Sequence, residues 1–256
     1  LPAYTETMTL QSREEKTVNL DFFDPPSSHD RAREVIASLA DQLQLYPGDS
    51  EPSLVAAVDT AYGFQAKTVF ACAVTTTFPE LELVERCFSR QSTPYPYVPG
   101  LLCFREGPVM LDALADLKQL PDIIVVSGHG LAHPQGCGIA GAVGLATGIP
   151  TIGCSLRLLC GRHRPVDTAK GSSQPIILGK REVGLAYRSK DEVKPIFISP
   201  GHMTSFDQSR DIIVRCLRGF RMPEPLRMAH LFVNKYKRRT ENKDKRGRNR
   251  PDPVPA

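Results

Sequence analysis

The chain has 256 residues, of which 41% are hydrophobic, enough for one substantial core. No run approaches the roughly 18 apolar residues that cross a bilayer, and no apolar signal core follows the amino terminus, so we expect an intracellular protein of the cytoplasm or nucleoid. The seven cysteines include no CxxC pair, which argues against a structural zinc site.

The net charge of +4 is unevenly distributed along the chain. Residues 235–256 hold nine Lys or Arg and three acidic residues, a net of +6, so that residues 1–234 carry −2. A basic segment of this kind suits contact with a phosphate backbone, and it suits a disordered, solubilising end equally well. We expect residues 237–256 to form a disordered basic tail.

The spacing of apolar residues predicts an α/β domain over residues 29–236, after an irregular lead-in over residues 1–28. The third strand alternates in a way that favours an antiparallel pairing with the second. The expected elements are a helix at 29–45, strands at 54–59, 68–76 and 81–89, a helix at 109–117, a strand at 123–126, a helix at 138–147, strands at 150–154, 176–178, 183–187 and 195–198, and helices at 204–218 and 226–239.

Two acidic residues stand at the ends of predicted elements. Asp59 ends an apolar strand, where a carboxylate costs several kcal/mol to desolvate unless it is paired or binds a cation. A solvated acid at the strand end is the alternative. Glu106 lies at or near a helix start, either as a first-turn acid that complements the helix dipole or as a metal ligand.

The most apolar strand, Ile123 to Val126, runs into Ser127-Gly128-His129-Gly130. Two glycines around a histidine let the backbone approach a ligand at the carboxyl end of a central strand, although an ordinary turn has the same composition. His129 is a candidate ligand, acid or hydrogen-bond partner of a base. Ser127 is a nucleophile only if a base lies within hydrogen-bond reach.

A stiff aromatic loop precedes Glu106. Pro96 and Pro99 flank Tyr97 and Val98, and a preorganised aromatic residue of this kind can insert into a base stack. A purely structural loop is the alternative. His133 is interpreted as a structural or pocket residue, and His230 as a surface or capping group.

Six segments, in their order and spacing, resemble the endonuclease V family. They are VAAVDTAYG at 55–63, PYVPGLLCFREGP at 96–108, SGHGLAHPQGCGIA at 127–140, GIPTIG at 148–153, PIFISPGH at 195–202 and RMPEPLRMAH at 221–230. The resemblance covers about residues 30 to 240. It implies an RNase H-like fold, a mixed sheet flanked by helices. It also implies a DNA-repair type of hydrolase that recognises a deaminated purine, chiefly hypoxanthine, and cuts the strand 3′ to it with Mg²⁺.

The resemblance also assigns roles to single residues. Asp59 matches the family's first-strand metal aspartate, Glu106 its metal glutamate, and His202 its late active-site histidine. The strand-separating wedge corresponds to Pro96, Tyr97, Val98 and Pro99. Positions of the family's base pocket fall on Gly100, Leu102, Gly128, Gly130 and His133, and Ser127 and His129 lie within the same turn.

The departures from the family lie in its catalytic centre. Active members read Asp-Gly-Gln-Gly where this chain has Ser127 to Gly130, a lysine at the position of Leu156, and usually a histidine at the position of Ala142. Only Asp59 and Glu106 then remain as metal carboxylates, so Mg²⁺ or Mn²⁺ should bind weakly or not at all. Loss of the lysine removes a cation that would stabilise developing negative charge.

Three functions remain open on these residues. The first is a protein that binds DNA or RNA with a deaminated base and cleaves poorly. The second is altered chemistry on a flipped base, such as excision at the sugar–base bond, in which Asp59 or Glu106 activates water and His129 or His202 donates a proton. The third is a working Mg²⁺ or Mn²⁺ nuclease in which His129 or water replaces the missing acid. We expect a monomer with no membrane partner.

Overall fold

A computed structural model describes residues 8–10, 16–18, 23–24, 26–46, 51–93 and 95–248. The strands are β1 Met8–Leu10, β2 Lys16–Val18, β3 Leu54–Tyr62, β4 Thr68–Thr77, β5 Leu83–Ser92, β6 Ile123–Ser127, β7 Thr151–Ser155, β8 Ser173–Leu178, β9 Arg181–Tyr187 and β10 Ile196–Pro200. The helices are α1 His29–Ala40, α2 Cys103–Ala115, α3 Ile139–Thr147, α4 Phe206–Arg215 and α5 Glu224–Arg248.

Eight of these strands form one mixed sheet in the order β5-β4-β3-β6-β7-β10-β9-β8. Strand β6 is parallel to both of its neighbours, β3 and β7. The remaining pairs are antiparallel, including β4 with β5 as expected. The continuous β-branched run of β6 is buried on both faces because it lies at the centre of the sheet. The carboxyl ends of β3, β6 and β7 therefore meet at one edge.

Helices cover both faces of the sheet. One apolar cluster joins α1, α2 and α3 to one face, and a second joins α4 and α5 to the other. Strand β3 shows the alternation that produces the two layers, since Ala56 and Val58 belong to the first cluster and Val55 and Ala57 to the second. Two serines cap the amino ends of helices: Ser28 Oγ accepts from Arg31 N in α1, and Ser205 Oγ from Gln208 N in α4.

Helix α2 begins at Cys103, six residues before the helix expected from apolar spacing. Glu106 therefore lies in its first turn, as predicted, and Pro108 lies inside the helix. The proline is tolerated near the amino end, where few backbone N–H groups have intrahelical partners.

Both expected flanks of the domain differ from the prediction. The lead-in contains an antiparallel pair, β1 with β2, so that part of it is regular. The final helix continues to Arg248, so residues 237–248 are helical rather than disordered; residues 249–256 lie outside the described part of the chain.

Contacts with the sheet explain the length of α5. The Lys237 ammonium donates to the Tyr62 carbonyl at 3.2 Å, and the Glu241 carboxylate accepts from Phe64 N at 2.8 Å. Tyr236 packs against Phe70 and Phe88 with ring centroids 5.6 Å and 4.9 Å away. These contacts continue the buried face of the helix beyond its most apolar part. Within the described ranges, no helix has the length and apolarity needed to cross a membrane.

Candidate nucleic-acid and catalytic site

A cavity of about 460 Å³ opens where the parallel strands β3, β6 and β7 end. Its walls also come from the loop before α2, the turn after β6, the loop after β7 and the start of α5. The predicted site residues that line it are Asp59, Tyr97, Pro99, Gly100, Leu102, Glu106, Ser127, Gly128, His129 and His133. Pro96, Val98, Gly130 and His202 are not among the lining residues.

Asp59 is buried within β3, because the strand continues to Tyr62 instead of ending at Asp59 as expected, and Asp59 pairs with a histidine for which the sequence predicts a surface or capping role. His230 Nδ1 donates to Asp59 Oδ2 at 2.8 Å. The His230 ring is half exposed, and its hydrogen bond with Asp59 raises its pKa. The signal for this pairing was the RMPEPLRMAH segment, but the direction of His230 depends on how α5 packs against β3.

Glu106 lies on α2 with both carboxylate oxygens engaged. Thr60 Oγ1 donates to Oε2 at 3.0 Å, and the Tyr62 hydroxyl donates to Oε1. Burial raises the pKa of Glu106, and burial beside Glu106 raises that of Tyr62. The carboxylate is thus held by two donors from β3, in a place where its charged form is disfavoured.

Ser127 is the last residue of β6, and the resemblance leads us to expect an acid at this position. The parallel register pairs Val58 with Val126, so Asp59 and Ser127 are the next residues on neighbouring strands. Ser127 is half-buried and lines the cavity. A hydroxyl therefore lies beside Asp59 where a carboxylate would complete the acidic set.

These residues do not fit a two-metal centre. Asp59 and Glu106 offer oxygen ligands that Mg²⁺ accepts, but Asp59 is paired with His230 and Glu106 with two hydroxyl donors. Across the described ranges, no group of three or more His, Cys, Asp and Glu side chains is arranged to hold a metal ion. Ser127 supplies a hydroxyl and no negative charge, so Asp59 and Glu106 are the only carboxylates among the predicted metal ligands.

His129 holds the wall of the cavity. Its Nε2 donates to the Arg157 carbonyl at 2.9 Å, which leaves Nδ1 unprotonated, buried and without a partner among the described residues. Burial lowers its pKa to about 4. The ring is therefore neutral near pH 7, which makes His129 a poor proton donor.

The loop after β7 carries Leu156, which lines the cavity with its side chain 39% exposed. The Arg221 guanidinium donates to the Leu156 carbonyl at 2.9 Å, and His129 holds the next carbonyl along the chain. The wall is thus fixed at two successive residues and presents the apolar side chain of Leu156 at the position where the resemblance leads us to expect a lysine. Ala142 is buried in α3 within the apolar core and does not line the cavity.

His133 ties the turn after β6 to the aromatic loop. Its Nδ1 accepts from Gln135 N at 3.2 Å, so Nε2 carries the proton and donates to the Gly100 carbonyl at 2.8 Å. Burial lowers the pKa of His133 to about 4, which keeps this neutral tautomer. Gly100 has φ +82°, a left-handed conformation that favours glycine.

His202 is placed away from the carboxylates. Strand β10 is antiparallel to β7 and pairs Pro200 with Ile152. The carboxyl end of β10 therefore lies beside the amino end of β7, at the opposite end of the strands from the cavity. The His202 ring there accepts from Gln44 N at 3.4 Å. The structure thus gives no support to a catalytic role for His202. The sequence could not reveal this, because the spacing of residues does not specify the direction of β10.

The two glycines of the turn are required by packing. A Cβ on Gly130 would lie 1.9 Å from the Pro200 carbonyl oxygen, and one on Gly128 would lie 2.4 Å from Ile139 Cγ2. Gly130 is therefore set against β10 rather than at the cavity, while Gly128 reaches the lining. Close packing, against the β10 backbone at Gly130 and against the Ile139 side chain at Gly128, explains both residues without a ligand.

Tyr97 stands at the cavity rim as an exposed aromatic. Its side chain is 59% exposed, and its ring meets that of Tyr62 edge to face with centroids 5.9 Å apart. Leu101 N donates to the Val98 carbonyl at 2.9 Å, which closes the turn behind it. The residue is thus held in place at one edge while its other surface remains open.

Comparisons with known proteins agree with this architecture. The family model described as Endonuclease V matches residues 37–231. Endonuclease V from Roseiflexus sp. (strain RS-1) is 36% identical over 209 residues, which cover 82% of this chain and 93% of that protein. Endonuclease V from Xylella fastidiosa (strain 9a5c) is 42% identical over 197 residues, covering 77% and 81%.

Solved structures give the same result. Endonuclease V from Streptomyces avermitilis has a TM-score of 0.79 at 33% identity, covering 85% of this chain and 98% of that one. Ciona intestinalis endonuclease V, solved with a 24mer DNA containing an inosine followed by a ribo-adenosine, has a TM-score of 0.74 at 25% identity, covering 82% and 98%. The chain therefore belongs to the endonuclease V family, and its mixed sheet flanked by helices is the RNase H-like fold of that family.

Proposed function

We propose that this chain binds DNA or RNA containing a deaminated base, chiefly hypoxanthine in an inosine nucleotide, and that it cuts the strand slowly or not at all. The observation that carries the proposal is the position of Asp59 and Ser127, which directly follow the paired residues Val58 and Val126 on the parallel strands β3 and β6 and line a cavity whose rim carries Tyr97. The scaffold for holding an extruded base is retained, while one carboxylate of the cleavage site is replaced by a hydroxyl.

Base binding is supported by the shape and lining of the cavity. Its volume of about 460 Å³ is in the range of small-molecule pockets, and its walls are mostly apolar with a few polar groups. Gly100 and Gly128 both belong to the lining, and without side chains they allow a flipped base to approach closely. We assign Tyr97 to stacking in the space that the extruded nucleotide leaves.

Poor cleavage is supported by charge. Displacement at a phosphodiester needs cations that stabilise the attacking and leaving oxygens, and carboxylates that hold those cations. Here Asp59 and Glu106 are engaged with His230, Thr60 and Tyr62. Any Mg²⁺ or Mn²⁺ would meet two carboxylates, and it would bind weakly.

A second function, metal-independent excision of the base, is favoured by one observation. Asp59 with His230 forms a carboxylate–histidine pair at the cavity, and the pKa of His230 is raised. Water would add to the anomeric carbon and give its proton to a carboxylate, while the sugar–base bond breaks and the base leaves with a proton from a histidine. His230 fits this donor role better than His129, whose pKa is lowered, or His202, which lies at the opposite edge.

The test uses labelled strands that carry inosine or adenosine at one position, as single strands and as duplexes. We expect the protein to shift the inosine strand in preference and to leave it uncut in Mg²⁺ on a denaturing gel. Rapid nicking on the 3′ side would instead establish a rebuilt nuclease site. Breakage that appears only after alkali would establish base excision.

A Tyr97→Ala variant tests the binding site itself. Stacking contributes about 1–3 kcal/mol per base, so affinity for the inosine strand should fall by about 5- to 150-fold. Tyr46→Ala is the matched control, because Tyr46 is 50% exposed and lies beyond α1 outside the cavity lining. Equal losses in both variants would contradict a role for Tyr97 at the rim.

A further inference from the structure

Helix α5 begins at the cavity and carries its basic residues away from it along one face. Leu226 and His230, near its amino end, line the cavity. Four exposed cations follow, which we call the α5 basic face: Lys235, Arg238, Arg239 and Lys243. We propose that the α5 basic face is a binding track for the phosphate backbone that flanks the base in the cavity, an inference that rests on the proposed function.

The helix separates charges that are mixed in the sequence. The four cations are spaced i, i+3, i+4 and i+8, so they project from one side of the helix. The acids of α5 are engaged elsewhere: Glu224 pairs with Arg227, Glu241 accepts from Phe64 N, and Asp244 pairs with Arg90. The mixed run KYKRRTENKDK thus presents positive charge to solvent.

The four cations are also unpaired, and the helix that carries them is anchored to the sheet. None of them forms an ion pair with the acidic side chains that the structure describes. The opposite face of α5 is held by Lys237 on the Tyr62 carbonyl and by Tyr236 between Phe70 and Phe88. A rigid helix therefore holds free cations at set distances from the cavity.

The length of the face sets the expected footprint. Thirteen residues separate His230 from Lys243, a rise of about 20 Å at 1.5 Å per residue. One strand of a duplex advances about 3.4 Å per nucleotide, so the far end of the face lies about six nucleotides from the bound base, on one side of it. The proposed contact is thus directional.

The experiment replaces the four cations together by glutamine, as K235Q, R238Q, R239Q and K243Q in one full-length chain. The matched control replaces four exposed cations at the far end of the sheet, K170Q, K180Q, R181Q and K190Q. Binding to inosine and adenosine strands is measured between 50 and 200 mM salt, as single strands and as duplexes, by fluorescence anisotropy. Circular dichroism and thermal unfolding confirm that both variants are folded.

If each cation neutralises one phosphate, the slope of log affinity against log salt should become shallower by about 3.6 for duplex and about 2.8 for single strand. The loss should be equal for inosine and adenosine strands, because phosphate contacts carry no base information. The control should keep the wild-type slope. Equal slopes in the α5 variant and the control would overturn the inference.

A second measurement locates the track. Shortening the strand by about six nucleotides on one side of the inosine should weaken wild-type binding, leave the α5 variant unchanged, and have little effect when made on the other side. Equal effects from both sides would overturn the inference. If wild-type protein binds inosine and adenosine strands alike, the proposed function fails, whereas the salt slopes still test the α5 basic face.

Discussion

Asp59 and Ser127 sit side by side on parallel strands, so a single side chain separates this site from a full acidic set. We expect Ser127→Asp to create a cation site. Without metal, the new charge should repel Asp59 and lower stability by about 1 kcal/mol. With Mn²⁺ at about 100 times its Kd, binding should add about 2.7 kcal/mol, seen as a rise in Tm.

Ser127→Asn is the control for that prediction, because it adds similar bulk without charge. Its Tm should not respond to Mn²⁺. A wild-type protein that gains as much stability from Mn²⁺ as Ser127→Asp would show that the site is already complete. Adding Leu156→Lys to Ser127→Asp tests whether strand cleavage also returns. A large gain in cleavage rate would show that no other group in this chain replaces the acid and the lysine expected at positions 127 and 156.

His133 makes stability depend on pH. Its pKa of about 4 in the folded protein lies below its ordinary value of 6.5, so the unfolded chain takes up a proton first as the pH falls. The contribution of neutral His133 to the free energy of unfolding is complete above about pH 6.5 and is lost toward pH 4, a change of about 3 kcal/mol.

We expect His133→Asn to be less stable than wild type at pH 7, because the bonds to Gly100 O and from Gln135 N are altered. The difference should shrink steadily as the pH falls from 7 to 4, because asparagine takes up no proton. Urea unfolding at several pH values measures it. Parallel curves for the two proteins would contradict the lowered pKa.

At the scale of elements, the turn after β6 depends on the close approach of β10. A methyl group on Gly130 would lie 1.9 Å from the Pro200 carbonyl oxygen. Pro200 is held by its pairing with Ile152, and the turn is held by the bonds from Leu131 N to Pro200 O and from Gly138 N to Gly130 O. We expect Gly130→Ala to destabilise the protein by about 3 kcal/mol or more. Thermal unfolding, or loss of soluble protein, gives the result.

Gly179→Asn serves as the comparison for that turn. Gly179 has φ +63° with nothing within 4 Å of a Cβ, and asparagine tolerates this left-handed conformation. Its change in stability should stay within about 0.5 kcal/mol. If both variants unfold at the same temperature, the contact with Pro200 does not constrain the turn.

The elements show where sequence reasoning succeeds and where it stops. Strand β6 and helix α3 were found within one residue of their ends, since apolar runs and glycine turns are local signals. Helix α5 is longer than the sequence predicts, because its charge run resembles a disordered tail whereas contacts with β3, β4, β5 and Phe64 hold it. Local patterns cannot report such contacts.

The candidate site divides in the same way. Asp59, Glu106 and Ser127 are predicted from their positions at or near the ends of expected elements, and all three line the cavity, although β3 continues three residues beyond Asp59. The sequence predicts an active-site role for His202 and a surface or capping role for His230, whereas His230 and not His202 lines the cavity. The difference depends on the antiparallel direction of β10 and on the packing of α5. Neither is encoded in the spacing of residues along the chain.

For the molecule as a whole, the burial of the seven cysteines indicates how tightly the apolar layers on the two faces of the sheet are packed. All seven are free; five are buried, and only Cys87 and Cys160 are partly accessible. Burial raises the pKa of Cys72 and Cys216 to about 12, which suppresses the reactive thiolate.

We expect a thiol reagent at pH 8 to label at most two groups rapidly in the native protein and all seven in denaturant. The count of released chromophore measures both. Cys103, Cys137 and Cys154 line the cavity, and their labelling should rise only if the cavity opens. Rapid native labelling of more than two thiols would mean that the layers are open on the timescale of the reaction.

The two outer strands of the sheet have a consequence for behaviour at high concentration. Strand β5 ends the sheet on one side with Glu85, Arg86 and Arg90, and β8 ends it on the other with Pro175, while Ile177 there is bridged to Arg162. Charged residues and proline at open margins discourage a strand of another copy from joining. Fibril growth by sheet extension is therefore disfavoured at both margins of the eight-stranded sheet.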